Sequence, residues 1–379
     1  MINKARLIAL TQKVLSINSE NPPGNELALA QFIEKDMRSL GLDVKLVTYA
    51  KDRPNIIAVL KGRLPRAQAQ KQAILLTPHF DTVPIGKGWK YNPLGQIVGN
   101  KMYGRGASDD KGNLAASMEI MRSLVEDKVI LRKDVVMAAT VDEETGSKAG
   151  ILPLVDKKVL KPGLALVLDS DDNDAIIAQK GLIHCRIQIF GKKAHGAYIW
   201  LGVNAIEIAA RIIQKLKALK LPYKKHAFLR EPTINIGTIK GGDKVNMVAD
   251  FCEFSVDIRY LPGMIGEDII RKVKALVETE TGKYKFIIDD HQRPFEISKD
   301  HSFVQAYLKS ARKGKCPVIL KGSEGATVIS FFRKHKIPAF ATGVGAKGTA
   351  HTTDEYLNIP TLVKGTKLLE EFVKEYDKI

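Results

Sequence analysis

The chain has 379 residues, 45% of them hydrophobic and 27% charged. That is a globular composition, too long for one ordinary core, and it predicts two domains or one domain carrying a large insertion. A formal net charge of +17 raises the question of nucleic acid. The basic residues, however, are spread along the chain, and short groups such as Lys192-Lys193 and Lys224-Lys225 lack interleaved aromatics, so a solvated lysine-rich surface is the better reading.

In chain order, MINKARLIALTQKVLSI spaces apolar residues as an amphipathic helix over 3–17, interrupted by Lys4, Arg6, Gln12 and Lys13, unlike the apolar run of a signal peptide. The turn cluster Asn21-Pro22-Pro23-Gly24 separates it from a second helix over 27–40. The basic stretch 61–72, KGRLPRAQAQKQ, is most simply a surface loop. Short apolar runs predict strands at 55–60, 73–78, 135–141 and 164–168, with a helix at 113–125 between them. Strands alternating with helices argue for an α/β layered domain. After Lys180-Gly181 the texture changes, with strands expected at 183–190, 233–239 and 248–260 and helices at 202–219 and 266–279. This describes a compact α+β unit of the β-α-β-β-α-β, ferredoxin-like kind. From about His301 the first texture returns, with a strand at 339–342 and a closing helix at 361–376. The expected organisation is an α/β domain of residues 1–180 and 292–379, interrupted by an inserted α+β domain of residues 181–291.

No segment approaches the roughly eighteen uncharged apolar residues of a membrane span. Cys185, Cys252 and Cys316 are far apart and odd in number, so they form neither a disulfide framework nor a CxxC zinc site and are expected as buried free thiols in a reducing, cytoplasmic setting. No nucleic-acid or membrane partner is expected.

The loop GRGASDDKG, residues 104–112, offers both phosphate and metal readings. A phosphate loop needs Lys and a hydroxyl directly after its last glycine. Here Lys111 precedes Gly112 and Asn113 follows it, and Asp109 occupies the last glycine position of a dinucleotide fingerprint. Two carboxylates would also repel a phosphate. The metal reading gains from neighbouring stretches. His79-Phe80-Asp81, Asp142-Glu143-Glu144 and Asp169 each follow an apolar strand candidate, and Ala350-His351-Thr352 lies in the loop after the strand at 339–342. Strand C-terminal ends are where α/β sheets bind ligands, and Asp81 is spaced to orient the His79 imidazole through its second nitrogen. Asp171 and Asp172 lie close behind Asp169, so spacing alone leaves the register of that acid open. Nitrogen and oxygen ligands of this kind suit zinc, with cobalt or manganese as alternatives, and two metals sharing a carboxylate is a hydrolytic design.

In that order H-x-D, G-R-G-x-x-D-x-K-G, D-E-E-T-G-S, a later acid and A-H-T-x-x-E-Y resemble the zinc amidohydrolase/peptidase family of acetylornithine deacetylase, succinyl-diaminopimelate desuccinylase, aminoacylase and glutamate carboxypeptidase. The resemblance runs from Asn21 to Tyr356. It implies a three-layer α/β catalytic domain of the zinc-exopeptidase type with an inserted ferredoxin-like lid, two Zn2+ per chain, and a homodimer joined through the lid. It further implies His79 and Asp169 on one metal, Glu144 and His351 on the second, Asp109 bridging both, and Glu143 as general base toward metal-activated water. Asp110 falls on a variable position, so Asp110→Asn is expected to matter far less than Asp109→Asn. His195 in GKKAH resembles a lid histidine that polarises the scissile carbonyl. Asn246, Arg259 and Gly325 resemble substrate-binding residues, and Arg259 suits a bidentate grip on a carboxylate. Val328 stands where the family usually has Asp, which bears on substrate specificity. His184, His226, His291, His301 and His335 match nothing and read as structural or surface residues. The implied reaction is hydrolysis of the amide of an N-acyl amino acid, with a carboxypeptidase or dipeptidase as the alternative. A non-catalytic binding module is a third reading, against which Glu143 argues, because binding alone has no use for a base.

Overall fold

The computed structural model describes residues 1–379. It divides into two compact units, one of Met1–Ile177, Ile297–Lys321 and Thr327–Ile379, the other of Ala178–Glu296 with Gly322–Ala326.

The first unit is built on a mixed sheet in the order Asp43–Ala50, Arg53–Leu60, Val135–Ala139, Ile74–Thr77, Leu164–Leu168, Ala339–Thr342 and the start of Ala175–Gln179. The strands from Val135–Ala139 to Ala339–Thr342 are mutually parallel. They are almost wholly buried, and strands covered on both faces are expected to be continuous apolar runs without alternation. The helices Lys4–Leu15, Leu27–Ser39, Lys111–Glu126 and Ile359–Tyr376 pack on one another as one layer. Each turns an apolar face inward, such as Leu7, Val14 and Leu15 in the first. Ile56 and Ala58 are fully buried where Leu27–Ser39 packs on Arg53–Leu60; alternation sends Ile57 and Val59 to the opposite face. The short helices Ile151–Asp156 and Ile329–Lys334 touch each other, and the second lies on Ala339–Thr342.

One expectation needs correction here, and one element was not expected at all. The stretch 61–72 is not all loop, because Arg66–Lys71 forms a helical turn and a half that buries Ala69. Leu94–Val98, Lys101–Gly104 and Tyr356–Asn358 form a small antiparallel sheet whose outer strands are partly exposed and whose middle strand, though buried, carries a lysine and a glycine beside two apolar residues, so none shows the apolar run that marks the central strands.

The second unit pairs Thr233–Gly241, Phe251–Tyr260, Gly181–Phe190 and Tyr284–Gln292 in that order, all antiparallel. With the helices Ala205–Ala218 and Gly266–Glu278 this is the ferredoxin-like arrangement. Alternate residues Ile183, Cys185, Ile187 and Ile189 meet Cys252, Phe254, Val256 and Ile258 beneath the helices.

Candidate metal centre and active site

Four parallel strands deliver the candidate ligands to one sheet edge. His79 lies just beyond Ile74–Thr77, Asp142 to Glu144 beyond Val135–Ala139, Asp169 directly after Leu164–Leu168, and His351 in the loop after Ala339–Thr342. Asp109 comes from the loop between Lys101–Gly104 and the helix Lys111–Glu126. His79, Asp109 and Asp169 place their ligand atoms within 4.8 Å of one another, and so do Asp109, Glu144 and His351. Asp109 belongs to both groups. One of its oxygens lies 2.9 Å from His79 Nε2 and the other 3.1 Å from His351 Nε2. His351 Nε2 is also 3.1 Å from Glu144. Of the three acids after Leu164–Leu168, Asp169 joins the cluster, whereas Asp171 bridges to Gly345 and Asp172 is exposed.

Asp109, Glu143, Glu144 and Asp169 crowd around two imidazoles, so negative charge exceeds positive in a largely dry space. Burial, reinforced by Asp109, pushes Asp169 up to about 7. Burial, reinforced by Asp169, Asp109 and Glu144, pushes Glu143 up to about 8. His351 is held up at about 10, chiefly by Asp109 and Glu144. A pair of divalent cations would neutralise this excess, and the oxygen and nitrogen donors suit them. The residues therefore fit a dinuclear metal site.

The loops behind the ligands explain their placement. Glu355, fully buried, accepts from the backbone N–H groups of Gly106, Ser108 and Asp109 at 3.2, 2.9 and 3.0 Å and from Arg105 at 2.7 Å. One carboxylate thus gathers the GRGASD loop. Its role was not read from the sequence, although it stands in the A-H-T-x-x-E-Y motif. Asp110 is also fully buried. It accepts from the His79 backbone N–H at 2.9 Å and the Asn113 amide at 2.6 Å, while the peptide bond joining Asp109 to Asp110 is cis. Gly112 packs so closely that a Cβ would lie 2.4 Å from the Ala107 carbonyl oxygen, which only glycine allows.

Asp81 does more than the spacing predicts. His79 Nδ1 lies 3.1 Å from the Asp81 backbone carbonyl and 3.5 Å from its carboxylate. The carboxylate instead accepts from the backbone N–H groups of Glu143 and Glu144 at 3.1 and 3.2 Å and from Asn21 at 2.9 Å. Burial would raise the Asp81 pKa, but His79, Asn21 and the Glu143 N–H hold it below its ordinary value. Asp142, at φ 67, turns the chain into the Glu143–Thr145 turn. Thr145, the Ala149 N–H and Arg53 hold its carboxylate at 2.6, 2.9 and 3.0 Å. Arg53 is anchored in turn on the fully buried Glu26.

Residues 75–375 match the profile of Peptidase family M20/M25/M40. The chain belongs to this family. Consistent with that, it is 28% identical over 381 residues to an acetylornithine deacetylase of Vibrio cholerae, covering 97% of this chain and 96% of the relative. Its fold superposes on a tripeptidase of Staphylococcus aureus with a TM-score of 0.82 at 24% identity, covering 100% of both chains. A dinuclear metal-binding M20 peptidase of Bacillus subtilis superposes with a TM-score of 0.75 at 15% identity, covering 98% and 97%. This M20 protein is therefore a metal-dependent hydrolase of the amidohydrolase and metallopeptidase type.

The remaining candidates of this M20 chain lie in its second unit. His195 is exposed, bridges to Met247, and accepts from the Ala197 N–H at 3.0 Å through Nδ1. The neighbouring Gly196 N–H donates to the Asn246 carbonyl at 2.8 Å, so the His195 and Asn246 loops are brought together. Arg259 lies on Phe251–Tyr260 with its guanidinium on Asp257 at 2.7 and 3.1 Å; its fork is already engaged by a carboxylate of its own strand. Gly325 is exposed, with its carbonyl accepting from Ser323 at 3.2 Å. Val328, in the first unit, is buried at the start of Ile329–Lys334. No helix is long and apolar enough to cross a membrane, and all three cysteines are free and buried.

Proposed function

We propose that this chain removes the acyl group from an N-acyl amino acid, using a dinuclear metal site held by His79, Asp109, Asp169, Glu144 and His351. The observation that carries the reading is the pair of ligand groups sharing Asp109, with the carboxyl of Glu143 beside them. Bound zinc, or cobalt or manganese, would supply Lewis acidity toward the amide carbonyl and toward water. Glu143 takes the proton of the attacking water on its carboxylate and returns it to the departing amine nitrogen. Burial, reinforced by the neighbouring acids, raises its pKa to about 8, and bound cations would draw it down toward the working range of a general base. Asp81 keeps Glu143 and Glu144 aimed by holding both backbone N–H groups. His195, Asn246, Arg259 and Gly325 are proposed on the substrate side.

The deacylase reading is supported by whole-length likeness to an acetylornithine deacetylase. The tripeptidase fold match supports the second reading, hydrolysis of a short peptide by the same groups. A homodimer through the second unit belongs to the proposal, supported by the exposed apolar run Tyr198, Ile199, Trp200 and Leu201. The test is a screen of the zinc-loaded chain on N-acetyl and N-succinyl amino acids beside di- and tripeptides, with metal content measured on the same sample. Faster turnover of the acyl amino acids is the expected result; turnover of peptides alone would move the assignment to a peptidase.

A further inference from the structure

A cavity of about 410 Å³ lies in the first unit, between the helix Arg66–Lys71 and the segment Lys158 to Pro162. Its floor is the sheet face of Ile57, Val59, Leu75 and Val136. These residues share one face because Val59 pairs with Val136 and Val136 with Leu75, while Ile57 lies two residues from Val59. Asp134, leading into Val135–Ala139, and Ala73, leading into Ile74–Thr77, line the cavity. They stand at the N-terminal end of the parallel strands, opposite the edge that carries the metal ligands. Val159 at its lip is 40% exposed.

The rim is cationic. Arg66, Lys71, Lys158 and Lys161 border the cavity, and Asp134 is the one acid. Asp134 is buried and already paired, accepting from Arg66 and from the Gly62 N–H. The ion pairs of the structure leave Lys71, Lys158 and Lys161 without a carboxylate partner. An apolar floor beneath unpaired amines, at a volume typical of small-ligand sites, is complementary to an alkyl chain ending in one negative charge.

We propose that this cavity binds a medium-chain aliphatic carboxylate, with its tail on Ile57, Val59, Leu75 and Val136 and its head among Lys71, Lys158 and Lys161. The site is separate from the hydrolytic centre and does not depend on which amide that centre cleaves.

The test is calorimetric titration of the zinc-loaded full chain with hexanoate, octanoate and decanoate, and with octanol as the uncharged control. One site per chain is expected, tightening by about fourfold per added methylene. Lys158→Glu with Lys161→Glu should weaken decanoate at least tenfold, leave octanol nearly unchanged, and leave hydrolytic activity intact. A photoreactive decanoate on the unaltered chain should label residues lining the cavity, which keeps the test informative if a variant is unstable. Four results would each overturn the proposal: no dependence on chain length, binding abolished by chelating the metal, labelling confined to the metal centre, or a concentration-dependent dimer that fills the cavity and is lost in the charge-reversed chain.

Discussion

Asp109 and Asp110 are adjacent acids with opposite duties, and nothing in their chemistry as free residues separates them. Asp109 points both oxygens at imidazoles, whereas Asp110 turns inward to hold the backbone of His79. Asp110→Asn is therefore not the mild change that a variable position implies. The amide offers one acceptor oxygen to two donors, leaving a buried N–H unpaired at a cost of about 1–3 kcal/mol. Urea denaturation of the metal-stripped variant should show that loss, and an unchanged midpoint would remove the role assigned to Asp110. Asp109→Asn should instead lower the bound metal, read by elemental analysis, because the amide keeps one uncharged oxygen and can no longer present a carboxylate oxygen to each ligand group. Glu143→Ala should keep its metal and lose turnover by about a hundred- to ten-thousand-fold; near-normal rates would reject it as the base.

At the scale of elements, the loop bearing Glu143 and Glu144 hangs from a buried chain of charges, Glu26 to Arg53 to Asp142. Arg53→Ala strands the fully buried Glu26, and breaking a buried pair in this way costs about 3–5 kcal/mol. Replacing both members, Arg53→Met with Glu26→Gln, should recover much of that stability by chemical denaturation while leaving Asp142 less firmly held. If the double variant is as unstable as the single one, the charge on Glu26 is not the cause. The apolar runs of the parallel strands were legible in the sequence because strands buried on both faces must be continuously hydrophobic. Leu94–Val98 and Tyr356–Asn358 were not, because they are partly exposed, and Lys101–Gly104, though buried, mixes a lysine and a glycine with two apolar residues; Tyr356–Asn358 also lies far along the chain from the strand it pairs with. The helix Arg66–Lys71 was hidden for a related reason: six residues carry too little periodicity to separate from a polar loop.

At the scale of the whole molecule, the crowded carboxylates tie stability to pH. In the metal-stripped chain Asp169 and Glu143 sit at about 7 and about 8, above the ordinary carboxylate value near 4. Each contributes stability that is complete below its unfolded pKa and is lost as pH rises through the folded value. His351, raised to about 10, acts in the same direction from its unfolded value of about 6.5 upward. The stripped chain should therefore lose stability between pH 5 and 8. Bound cations favour the deprotonated ligands, so the gap in melting temperature between loaded and stripped protein should widen over that window. A gap that narrows would contradict the charge excess. In the second unit, His195→Ala should slow turnover without changing metal content, and unchanged kinetics would place it outside the reaction.

The α/β core, the inserted ferredoxin-like unit, and the acid- and histidine-bearing stretches at strand ends were readable from the residues alone, because burial and strand termini leave local composition as their trace. Spacing left the choice among neighbouring acids open and the family resemblance implied Asp109 and Asp169, the two that the folded chain brings into the cluster; that Asp81 grips the Glu143 turn emerged from the folded structure alone. It also revealed Glu355 gathering the Asp109 loop from far along the chain. Those outcomes depend on where a side chain points after distant segments meet, and a one-residue difference in direction leaves no mark in composition or spacing.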